Sequence, residues 1–202
     1  MGLENGGSYM AAVWEFTIVS KNGIPFESLN QMIQEYGNDI NVVAAFCIDD
    51  WGWSNQQRLE SVEEIKEKLD KGKIITVEIQ SKKWKSLGVY IEKKEAYIYT
   101  FWINTEGVTE LDSDQIINAN QKYYNQAYHI LDSIIKKYDI PFDYIAIGLE
   151  NDVYYCTDIK RAISRSSNVI IWLIKSDSDI GLAERLERHK VSEKLDCIIF
   201  NN

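Results

Sequence analysis

Residues 87–103 read LGVYIEKKEAYIYTFWI. Two runs rich in β-branched and aromatic residues, Leu87–Ile91 and Ala96–Ile103, stand either side of the charged tetrad Glu92-Lys93-Lys94-Glu95. Two such runs about a short polar turn predict a β-hairpin. A hairpin makes its strands antiparallel, whereas strict alternation of strands and helices would wind a parallel sheet. The hairpin therefore sets the expected class. This is α+β, with a mixed, mainly antiparallel sheet or two small sheets, and helices packed on one face. Several strands also show one polar face, as antiparallel strands with one solvated side do.

Towards the N-terminus, Lys73–Ile79 reads as a strand and Ser61–Leu69 as a helix that Gly72 ends. Ser61 is its N-cap, and Glu64 three residues later completes a capping box. Asn41–Ile48 (NVVAAFCI) is a continuous apolar run of strand length and predicts a central strand. Phe26, Leu29, Ile33 and Tyr36 recur at helical spacing, and Trp14–Val19 (WEFTIV) alternates as a strand does. Towards the C-terminus, Asp112–Tyr138 predicts the longest helix. Phe142–Leu149 predicts a strand, Thr157–Ser164 a helix capped by Thr157, and Val169–Ile174 a strand. Leu182–His189 then predicts a short amphipathic helix and Leu195–Phe200 a last strand.

Two halves echo each other, each reading strand–helix–strand–helix–strand. The first runs WEFTIV, AAFCIDD, IKEKL, IITVEI and the second YIYTFWI, IAIGLEND, IKRAI, VIIWLI. Shared architecture explains this echo about as well as duplication does. Residues 1–10, polar and glycine-rich, read as a flexible leader, and 11–202 as one α+β domain. Its halves are 11–80 and 86–175, followed by the C-terminal helix and strand.

The 202 residues carry a net charge of −9, with 45% hydrophobic and 12% aromatic residues. That composition excludes wholesale disorder, and no apolar run approaches the ~20 residues of a membrane span. Acids outnumber bases in residues 1–50, where Lys21 is the lone base, and in 138–159, which hold no base. Such a surface suits a basic partner and disfavours nucleic acid. Cys47, Cys156 and Cys197 lie in or beside apolar runs with no metal or redox spacing, which predicts buried thiols in a reducing cytosol. The two histidines, His129 and His189, have no nucleophile beside them. His189 is placed near a helix end, where a cation suits the dipole. No hydrolase, zincin, dinucleotide or phosphate-loop motif occurs, so no catalytic residue and no cofactor are assigned.

The most unusual local feature is Asp49-Asp50-Trp51-Gly52-Trp53, just past a strand. Strand-end loops concentrate binding residues, and tryptophan is enriched among interface hot spots. The structural alternative is that both rings fold back over the core, with Gly52 making the tight turn. Glu150 and Asp152 end the matching strand of the second half, with Tyr154 next. Asp49, Asp50, Trp51, Trp53, Glu150, Asp152 and Tyr154 are therefore the candidate partner-binding residues. If the two loops meet, the four carboxylates could instead hold a divalent ion for hydrolysis. A scaffold or adaptor role is the third class.

The FCIDDWGWS loop, the aromatic strand YIYTFWI and the acidic 138–159 segment together resemble the immunity proteins of bacterial polymorphic toxin systems. The resemblance is one of character over most of the chain and assigns no single family. It implies a non-enzymatic cytoplasmic inhibitor that caps a toxin domain, often a basic nuclease, with acids standing where substrate phosphates would lie.

Overall fold

The computed structural model describes residues 13–26, 28–29, 41–80, 87–104, 140–153, 156–181 and 186–200. Within them lie ten strands: β1 Val13–Ser20, β2 Asn41–Ile48, β3 Gln57–Leu59, β4 Ile74–Gln80, β5 Leu87–Lys93, β6 Tyr97–Asn104, β7 Tyr144–Asp152, β8 Ser167–Lys175, β9 Leu186–Lys190 and β10 Leu195–Phe200. Two short helices accompany them, α1 Val62–Asp70 and α2 Ile159–Arg165.

All ten strands join one sheet in the order β3-β2-β4-β5-β6-β1-β7-β8-β10-β9, with every neighbouring pair antiparallel. This overturns the expected α+β architecture. The protein is mostly antiparallel sheet, and among the described residues its two helices are short and lie on opposite faces. The first helix of each expected strand–helix–strand–helix–strand half lies largely outside the described residues, and the halves do not form separate sheets. β1 pairs with β6 and β7 rather than with β2 of its own half. Central strands are chosen by such non-local pairing, which local periodicity does not encode.

The expected hairpin over residues 87–103 does form. Lys93 faces Tyr97 and Leu87 faces Ile103. At the far end of the chain the expected helix over Leu182–His189 is corrected: Leu186–Lys190 is the edge strand β9, paired with β10. Charged residues occupy this stretch at a spacing that fits either period. The tie that decides is Arg188, whose Nε donates to Asp196 on β10 at 2.5 Å. Its other nitrogens donate to the carbonyls of Ser178 and Ser176. His189 therefore stands on a strand, beside Glu187.

Successive side chains alternate between two faces. Face I carries Ile18, Ile75, Val89, Tyr99, Ile145 and Leu173, all buried. Ile65 and Leu69 of α1 pack against it. Tyr99 also pins the chain after β1, since its hydroxyl accepts the Ile24 N–H at 2.7 Å. Burial pushes the Tyr99 hydroxyl up to about 12. Face II differs along its length. Over β7, β8 and β10 it is apolar and covered: Tyr144, Ala146, Trp172, Ile174 and Ile198 are buried, with Ala162 of α2 among them. Over β4, β5 and β6 it carries Glu78, Tyr90 and Trp102, exposed or half-buried.

Both helices start from side-chain caps. Ser61 Oγ accepts the Glu64 N–H, while the Glu64 carboxylate takes the Glu60 N–H, one residue earlier than a capping box requires. α2 is capped by Asp158 and not by Thr157; its carboxylate accepts from Lys160 and Arg161. A helical turn begins after Pro25, where Leu29 N–H donates to the Pro25 carbonyl. The remainder of the expected 26–36 helix and the expected 112–138 helix lie outside the described residues, as does the 1–10 leader.

Candidate functional site

The Asp49–Asn55 loop leaves the end of β2 and returns through β3. Its carboxylates build it. Asp49 accepts from Lys73 Nζ at 2.8 Å and from Asn55 Nδ2 at 2.9 Å, and its own N–H donates to the Ser54 carbonyl. The Lys73 ammonium, then Asn55, hold the Asp49 carboxyl below the usual carboxylate range. Asp50 Oδ1 accepts the Gly52 N–H at 2.8 Å, and the Asp50 carbonyl accepts the Trp53 N–H. The left-handed residues are Trp53, with φ of 60°, and Asn55, with φ of 53°. Asparagine tolerates that region, but a bulky residue there costs roughly 1–2 kcal/mol. The loop's hydrogen bonds hold Trp53 in place against this strain.

Neither tryptophan folds into the core. Trp51 is 48% exposed and Trp53 45%. Both lean on face II of the sheet, where the Trp51 ring meets Tyr90 edge-on with centroids 5.1 Å apart. Tyr90 in turn lies near-parallel to Trp102 at 5.8 Å. Beside them a slot of about 560 Å³ is lined by Val43, Trp53, Thr76, Glu78, Tyr90 and Trp102, together with flanking strand residues. Register explains why these side chains meet. Glu78 pairs with Gly88 and Gly88 with Trp102, forming one transverse row, while Thr76 and Tyr90 form the next.

Gly88 is required in that row. The Trp102 ring lies against it, and a Cβ there would come within 2.6 Å of Trp102 Cζ2. A glycine inside a strand often marks such a close approach. Val43 reaches the slot because the register shifts between Val42 and Ala44, which turns an extra residue out to 52% exposure. Burial, then the Glu15 carboxylate, raise the Tyr90 hydroxyl above its ordinary value.

Asp49, Asp50, Trp51 and Trp53 therefore share one loop. Asp152 does not join them. It ends β7, five strand positions from β2 in the sheet and at the opposite end of the strands, because β2 and β7 run in opposite directions. Glu150 lies on the same β7 end, its side chain outside the described residues, as is Tyr154. The two acidic segments do not meet, and the four carboxylates do not form one metal cage. Among the described residues there is no cluster of three His, Cys, Asp or Glu placed to hold a metal ion. All three cysteines are free and buried.

The sequence reasoning missed Glu78, Gly88, Tyr90 and Trp102. The signal for three of them was present. Once the Glu92–Glu95 turn is placed, strand period two puts Gly88, Tyr90 and Trp102 on one face, and the hairpin sets Gly88 opposite Trp102.

A larger cavity of about 960 Å³ lies on face I between α1, Ile24–Leu29 and the strands, with Ile65, Leu69, Val77, Ile91 and Tyr99 in its lining. Its lining runs up to Leu29, where the described residues stop. Among the described residues no helix is long and apolar enough to cross a membrane. Comparison with known proteins finds no matching family model, no curated relative and no similar solved structure.

Proposed function

We propose that the protein is a non-enzymatic, cytoplasmic binding protein that neutralises a basic protein partner, in the manner of a toxin-immunity protein. The observation that carries this reading is the pair Trp51 and Trp53, each about half exposed on a loop fixed by its own carboxylates. Exposed tryptophans on a preorganised loop give contact area at little ordering cost on binding. The net charge of −9 supplies the long-range attraction for a basic surface. The contact surface on this reading is the Asp49–Trp53 loop with the adjoining face II of β4–β6. Asp49 serves it by shaping the loop, and Asp50 adds exposed negative charge beside the rings.

The test uses the product of the adjacent reading frame as partner, measured by calorimetry at two salt concentrations. Tight association that weakens with salt, and falls at least tenfold in a Trp51→Ala, Trp53→Ala double variant, supports the reading. Association unaffected by the double variant places the interface elsewhere. A thermal melt with Mg²⁺, Ca²⁺ or Mn²⁺ against EDTA separates it from a metal-dependent hydrolase, which gains stability from its ion.

A further inference from the structure

We infer that the slot between Trp53, Tyr90 and Trp102 is a receptor for an arginine side chain presented by the partner. The inference rests on the proposed function and specifies the chemistry of its central contact.

Three observations lead to it. First, the aromatic groups are arranged as a corner. Tyr90 and Trp102 lie nearly parallel, 23° apart, while Trp51 stands at 89° to Tyr90. Offset floor rings with an upright wall suit a planar cation, since guanidinium stacks on ring faces and is drawn by their negative potential. Second, the slot holds a carboxylate and no base. Glu78 is exposed in its lining, and among the described residues no Lys, Arg or His lines it. A carboxylate beside stacked rings can take a guanidinium N–H pair. Third, Thr76 lines the slot at 3% exposure, and its Oγ1 has no hydrogen-bond partner among the described residues. A buried hydroxyl left unpaired is uncommon and destabilising. A donor entering the slot and settling against Tyr90 would satisfy it. A carbohydrate would use the rings but not the Glu78 charge, and a phosphate would be repelled by that carboxylate.

The geometry also fits entry from solvent. Trp53 and Val43 form an exposed rim, and the strained φ of Trp53 keeps its ring beside the slot. Trp53 and Trp102 line the slot and change environment on filling, so the site reports on itself.

The experiment titrates the full chain with an acetylated tri-arginine amide and follows tryptophan fluorescence. The same peptide with citrulline replacing arginine tests charge at constant shape, and a neutral oligosaccharide tests the sugar alternative. Saturable change with the arginine peptide is expected, at least tenfold weaker for citrulline. Glu78→Gln and Trp53→Ala should each weaken it at least fivefold while circular dichroism stays unchanged. Glu78 is an exposed strand residue, so its variant keeps the test sound even if Trp53→Ala folds poorly. Equal binding of the citrulline peptide, binding of the oligosaccharide in its place, or no saturable change overturns the inference. So does arginine binding that both variants leave intact, which would mean diffuse acidic attraction. Arginine binding without any partner association would instead remove the proposed function and leave the slot standing.

Discussion

Two segments of the chain, β2–α1–β4 and β7–α2–β8, are built alike and finished differently. In each, a strand ends in an acidic stretch, a short helix follows, in the first unit after the three-residue β3, and the chain returns antiparallel to the same side of the strand it left. Yet α1 packs on face I and α2 on face II. The reason is the odd number of strand steps between the two units. β2 and β7 point in opposite directions, so a unit of the same hand must place its helix on the other face. The face left over differs as well. β8 reads VIIWLI and is buried on both sides, whereas β4 reads IITVEIQ and turns to alternation from Val77 onward. The second unit is a filled layer, and the first leaves its outer face to the aromatic slot.

That contrast can be broken most severely in the second unit. A Cβ at Gly148 would lie 2.0 Å from the Asn168 carbonyl oxygen, which is backbone and cannot step aside. Gly148→Ala should cost roughly 3 kcal/mol or more in urea unfolding, at the top of the overpacking range. Trp172 and Tyr90 occupy the same transverse row of face II, and Trp172 is 1% exposed. Trp172→Ala should cost about 3–5 kcal/mol. Tyr90→Ala, half-buried on the open side, should cost about 1–2 kcal/mol while removing ligand binding. Equal losses at the two positions would show that the first unit is packed as closely as the second.

The Arg188–Asp196–Ser176 knot gives an intermediate effect. Burial alone would raise the Asp196 carboxyl, but hydrogen bonds from Ser176 and Arg188 outweigh it and hold its pKa below 3.8. A depressed folded value means stability that is present above pH 3.8 and lost as pH falls through the lowered value. Asp196→Asn should lose about 1.5–3 kcal/mol at pH 7. The variant should also show a shallower acid limb than the parent in melts taken from pH 6 to pH 2; identical limbs would assign the acid sensitivity to other carboxylates. Smallest is Trp53→Gly. Release of left-handed strain, roughly 1–2 kcal/mol, offsets the lost ring contacts, so the melting temperature should move little while binding disappears.

Much of the strand content was legible. β2, β4, β5, β6, β7, β8 and β10 announce themselves through apolar runs or alternation. Their order was not, because β1 is placed at the centre by partners that lie far along the chain, at Asn104 and Leu149. Asp49 and Asp50 were singled out as binding candidates and stand there first as loop braces, a distinction that depends on Lys73, twenty-four residues away. Glu150 and Asp152 looked equivalent to them in the chain because strand direction cannot be read from a local motif. The slot was hidden because its residues come from the β2–β3 loop, β4, β5 and β6, and each alone is ordinary.

Among the described residues the open sheet ends in two edges, β3 with three residues and β9 with the sequence LERHK. A row of unpaired backbone groups invites another chain to pair with it, and charge or brevity discourages that. β3 is too short to template a strand and carries the exposed Arg58. β9 sets Glu187, His189 and Lys190 outward. The terminal strands thus oppose lateral growth of a sheet nearly half of whose strand residues are Ile, Val or aromatic. Replacing His189 and Lys190 with valine should turn that edge into a seed, read out by thioflavin binding on standing.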